Sequence, residues 1–218
     1  MTIISFKNAH VGSVKMTFDL EAQGHVALCG MEESLSSVLL DTLLGFNSVH
    51  SGEYFFTGKA TADLSIRKFR QLRSMVGVVS EHYGLVANLK VWENVLLPVE
   101  FHSDISSKGH QHALVTEALR LSQYEGDPFA SIDSLSRFER KQVLLARAYV
   151  LSPALNIYDR FLEGHTQSEK QLLLHSAYNY SMQNKSGASL YLVDEKHDFT
   201  ALDYVQVLAA NDEGDYVY

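Results

Sequence analysis

The stretch 25–46, HVALCGMEESLSSVLLDTLLGF, constrains this chain more than any other. His25-Val26-Ala27-Leu28-Cys29 is a short, mostly apolar run, and Gly30 breaks it. From Leu35 onward, Leu35, Val38, Leu39, Leu43 and Leu44 recur at helical spacing, and Gly45 stops the pattern. A buried strand therefore feeds a helix through a turn that opens on glycine.

Strands and helices alternate along the rest of the chain. Residues 2–6, 14–20, 54–56, 76–79, 155–158, 189–193 and 204–209 read as strands. Residues 65–75, with Ser65 as cap, and 112–121, 136–151 and 169–183 read as helices. Residues 85–101 are apolar with helical recurrence, which Pro98 bends or ends, and 103–109 form a polar linker. The alternation predicts an α/β fold with a largely parallel sheet. The segment 83–133 is nearly all helix and reads as an inserted lobe, so the division is one domain, 1–218, with a core of 1–82 and 134–218.

The chain has 218 residues, 46% of them hydrophobic, ample for a sizeable core. Its net charge is -8, with no basic stripe, which argues against a nucleic-acid partner. The single cysteine, Cys29, reads as a small buried hydrophobe. No stretch approaches 18 apolar residues and the N-terminus lacks a signal-peptide pattern, so a soluble, cytosolic protein is expected. His110 and His112 read as a solvated pair rather than metal ligands, and Val91, Val95 and Val99 as core.

A strand-to-helix turn opening with glycine is where a phosphate-binding loop sits, and its pattern is G-x-x-x-x-G-K-[ST]. On that pattern Gly30 takes the first glycine, Leu35 the second, Ser36 the lysine and Ser37 the final hydroxyl. Downstream, in order, come SGEYFFTG, NLKVWENVLLP and DSLSRFERKQVLLARAYVLSPALNIYDR. Together these resemble the nucleotide-binding subunit of an ABC transporter, over almost the whole chain. NLKVWENVLLP is similar to the corresponding run of the subgroup that serves lipoprotein release and lipid trafficking. The resemblance implies a P-loop NTPase-like ABC ATPase fold: a largely parallel sheet, an N-terminal antiparallel part and a helical lobe.

Departures from the family pattern are as consistent as the matches. Ser36 and Leu35 replace the loop's lysine and second glycine, and Glu81 replaces the glutamine that ends the strand after the arginine-rich helix 65–75. The signature LSGGQ reads Leu135-Ser136-Arg137-Phe138-Glu139, and Arg160 stands for the catalytic glutamate after Asp159. The aspartate of the next loop falls on Thr166, and the switch histidine on Glu195, or on His197 through a shift. His10 is the nearest candidate for the aromatic that stacks on adenine.

The family ligands are ATP and magnesium. Gly30, Ser36 and Ser37 are the remnant of the nucleotide loop, and Ser37 and Asp159 the only candidate magnesium ligands; no catalytic residue survives. Lost positive charge and the added Glu32, Glu33 and Glu81 work against a triphosphate. The expectation is a pseudo-ATPase, a structural or regulatory component at the inner face of a membrane. Its partners would be a membrane subunit, an intact ABC ATPase subunit or a second copy. Tyr83, Leu85 and Trp92 are the candidates for the groove that holds a membrane subunit's coupling helix, and Arg137 and Phe138 for an interface. Two alternatives stand beside it: a divergent ATPase that still hydrolyses ATP, and a soluble binding module that kept only the fold.

Overall fold

The computed structural model describes residues 1–102, 107–194, 199, 202–211 and 214–217. The chain opens with strands β1 (Thr2–Val11), β2 (Val14–Glu21) and β3 (His25–Cys29) and helix α1 (Glu33–Leu43). Then come β4 (Glu53–Phe56), β5 (Lys59–Ala60), α2 (Ile66–Arg73) and β6 (Val76–Val79). Helices α3 (Val91–His102), α4 (Lys108–Leu121) and α5 (Arg137–Tyr149) follow. The chain closes with β7 (Leu155–Asp159), α6 (Gln167–Gln183), β8 (Ala188–Val193), β9 (Gln206–Ala209) and β10 (Tyr216–Val217).

Two five-stranded sheets result, in the orders β10-β2-β1-β4-β5 and β6-β7-β8-β3-β9. All pairings of the second sheet are parallel. Every residue of β3, β7 and β8 is buried, which is why these strands read as unbroken apolar runs. Their side chains alternate between two cores. Val26, Leu28, Ile157 and Leu190 join the residues of α1 and the first sheet, whereas Ala27, Cys29, Tyr158 and Tyr191 join those of α5 and α6.

A third core lies between α3, α4 and α5, and includes Val91, Val95, Val99, Val143 and Ala146. Helix α5 also gives Leu144, Leu145 and Tyr149 to the second core, so one helix serves both. The lobe is less helical than the sequence suggests. Residues 85–90 are not helical, and α3 starts only at Val91. The cause is Asn94, fully buried, whose side chain accepts from the Val86 amide and donates to the carbonyls of Val86, Leu89 and Lys90. Pro98 does not end α3, which runs on to His102 because the Val91-Val95-Val99 stripe is wholly buried. Strand β1 continues to Val11, β5 and β10 were not foreseen, and His110 and His112 lie exposed in α4. Ser65 does cap α2, accepting from the Lys68 amide.

His25, at the entry to β3, packs its ring against Tyr191 and Tyr204, and its Nδ1 has no hydrogen-bond partner. Burial lowers its pKa from 6.5 to about 4. The unfolded chain takes up this proton below about pH 6.5 and the folded chain only below about pH 4, so acid favours unfolding between those values. His25→Leu is predicted to remove about 3 kcal/mol of stability loss between pH 7 and pH 4. Urea unfolding of both proteins at the two pH values measures it; equal losses would refute the assignment.

Candidate functional site

The segment after β3 does not form an open phosphate loop. Gly30 has φ +80, and its amide donates to the Asp194 carbonyl while that of Met31 donates to Val193. Helix α1 begins already at Glu33, with Glu32 as its N-cap, and the Ser36 amide makes a helical bond to Glu32. The residues that should wrap a phosphate are therefore the first helical turn. Leu35, partly buried, faces the β1–β2 turn: a side chain placed on Gly12 would meet it at 3.5 Å.

Ser36, at the lysine position, is 1% exposed and donates its hydroxyl to Asp159 Oδ1. Ser80 donates to the other oxygen, Oδ2, at 2.7 Å, and its own Oγ accepts from the His82 amide. The buried carboxylate is thus satisfied by two hydroxyls. Ser37 turns its hydroxyl back to the Glu33 carbonyl at 2.9 Å. Arg160, at φ +48, donates to the Met31 carbonyl at 3.2 Å and pairs with Glu163 at 2.9 Å. The guanidinium is thereby fixed on the backbone of the turn after β3.

The cleft above this turn, about 370 Å³, is lined by Gly12, Glu32, Leu35, Val38 and Tyr216 among others, with no lysine or arginine among the described residues of its wall. Tyr216, from β10, donates to the Cys29 carbonyl at 2.7 Å, and burial pushes its hydroxyl up to about 12. Magnesium ATP needs cationic donors at the phosphates and free oxygens at the metal. The residues present do not fit it.

At the signature, Ser136 and Glu139 form a capping box at the start of α5, so the motif's ends serve the helix after its glycines are gone. Arg137 and Lys141 both reach Glu81, at 3.4 and 3.3 Å. Lys141 is only 2% exposed; burial pushes its ammonium down, against the pull of Glu81. Phe138 is partly buried, its ring 6.2 Å from that of His165. Thr166 caps α6 in a second capping box, with Glu169. His10 bonds Ser51 through Nδ1 at 2.8 Å. Glu195 and His197 lie outside the described residues.

Tyr83, Leu85 and Trp92 do not share one surface. Tyr83 lines a groove of about 520 Å³ with Phe46, Arg73, Leu97, Phe101 and Arg147. Its hydroxyl donates to Asp41 at 2.7 Å. Arg147 donates to the carbonyls of Tyr83 and Gly84, and burial lowers its pKa to about 10. Leu85 faces a separate cleft of about 610 Å³, with Glu81, Arg137, Arg140 and Lys141. Trp92 packs on Phe129 and His112 instead. Ser80, Lys141 and Arg147 are the residues that sequence reasoning missed. The readable signal was cations set four and ten positions after Arg137 in a helix otherwise rich in buried apolar residues.

A family model described as ABC transporter matches residues 14–161. Among solved structures, the ATP-binding cassette MJ0796, a dimer in a post-hydrolysis state with ADP and phosphate, superposes with a TM-score of 0.82. It is 18% identical and covers 98% of this chain and 96% of its own. CbiO1 from Clostridium perfringens, part of the ABC transporter complex CbiONQ, gives 0.84 at 17% identity, over 100% of this chain and 87% of its own. These likenesses show the α/β ABC ATPase fold, and the family match extends over most of the chain: it belongs to the ABC transporter family, as an ATP-binding-cassette domain.

Proposed function

We propose that this chain is a catalytically inactive subunit of an ABC transport complex, a structural or regulatory component that has lost nucleotide chemistry. The observation that carries this reading is the closure of Asp159 by the Ser36 and Ser80 hydroxyls. Each oxygen of that carboxylate already accepts a hydroxyl, so a metal ion would have to share or displace these bonds, and Ser36 stands where the loop's lysine would meet a phosphate. Arg160, turned onto Met31, supports the same conclusion, because it replaces a base with a bound cation. CbiO1 belongs to a transporter complex, and the groove beside Tyr83 suits an amphipathic helix of a membrane subunit here. Phe46 and Phe101 stand exposed at its rim, and Arg73 and Arg147 lie in its wall. An apolar helix face with an acidic residue complements that lining. No described helix is long and apolar enough to cross a membrane, so a membrane position would come from such a partner.

Calorimetry of the isolated chain with Mg-ATP is predicted to show no binding in the micromolar range; a tight one-to-one isotherm would overturn the proposal. Leu35→Gly with Ser36→Lys is predicted to give weak binding at most and no turnover, since Arg160 still occupies the base position. Phosphate release by that double variant would show that another carboxylate does the work. For the groove, Leu97→Arg is predicted to remove a co-purifying membrane subunit, whereas Trp92→Ala leaves it bound. Loss with Trp92→Ala alone would move the interface to the other side of the lobe.

A further inference from the structure

Two departures from the family pattern meet in space. Glu81 and Arg137 face each other at 3.4 Å, and Lys141 reaches the same Glu81 oxygen at 3.3 Å. Arg137 also donates to the Gly164 carbonyl at 3.4 Å. A Cβ on Gly164, whose φ is +69, would lie 1.8 Å from the guanidinium, so the arginine rests on backbone that a side chain would deny it. Further along α5, Arg147 holds the carbonyls of Tyr83 and Gly84. The loop 81–84 is therefore gripped by α5 at both ends. That loop is the wall between the two clefts: Tyr83 and His82 face the docking groove, and Glu81 the cleft of Arg137 and Lys141.

We propose that Glu81, Arg137 and Lys141 form an ionic clamp that positions the 81–84 loop, and with it the docking groove, without nucleotide. The role of the groove rests on the function proposed above; the clamp rests on these contacts alone. Glu81 is 63% exposed while Lys141 is 2% exposed. Removing the carboxylate's charge leaves a buried ammonium without its hydrogen-bonded anion, with only Asp159 acting on it at longer range, and the lobe relieves this by letting the loop go. Because Glu81 and Arg137 are both more than half exposed, salt weakens the clamp.

Hydrogen exchange of the segment 80–86 in the full chain tests this. Glu81→Gln is predicted to speed exchange there about tenfold, with α6 unchanged, and Lys141→Met added to it should bring little more. Salt at 1 M should raise the parent's exchange and leave that of Glu81→Gln alone. Mg-ATP should change neither. Equal exchange in parent and Glu81→Gln, or slowing by Mg-ATP, would overturn the clamp. If Glu81→Gln lowers protection throughout the chain, Arg137→Gly is read in its place, and unchanged exchange there overturns the clamp equally. A failed clamp leaves the Mg-ATP calorimetry untouched, so the two readings fail separately.

Discussion

The carboxylate of Asp159 is the constraint on which the rest of the site depends. It ends β7, in the middle of a sheet buried on both faces, and is 6% exposed. A charge placed there without partners is costly, so its surroundings must supply donors. In this chain they are neutral: Ser36 from the start of α1 and Ser80 from the end of β6. Three neighbouring elements are thereby tied to one carboxylate, and the turn between β3 and α1 tightens into a helix start. What remains is a turn that holds its own backbone together and presents Glu32 and Glu33 at its mouth. A polyphosphate meets negative charge there.

Helix α5 is the second organising element. Its capping box sets where it begins, its two apolar faces enter two cores, and its cations hold the loop after β6. The family pattern keeps glycines at the start of this helix so that a partner's nucleotide can approach. Here Arg137 lies along the surface against Glu81 and Gly164, and the partly buried Phe138 packs toward His165. The positions that depart from the family pattern carry internal contacts within one chain.

Much of the fold was legible because its signals are local. The switch of period between β3 and α1 marks the central strand, and the β-branched run 76–79 marks β6. The turn 85–90 was not legible, because apolar recurrence continues through it while Asn94 captures the backbone from within α3. Strand β10 has two residues and exists through its pairing with β2. At the site, the losses at Ser36 and Arg160 could be read one by one, but the contacts that replace them could not. Ser36 and Asp159 lie 123 residues apart, and Glu81 and Lys141 lie 60 apart. Nothing local in the sequence marks Ser80, an ordinary hydroxyl after a strand, as the second donor.

If the site is closed by its own side chains, nucleotide has no part in holding this subunit to its neighbours. Light scattering of the purified chain, together with whatever chains co-purify, measured with and without Mg-ATP, tests that most directly. The account predicts the same mass in both conditions. A dimer or complex that forms only when Mg-ATP is present would contradict it.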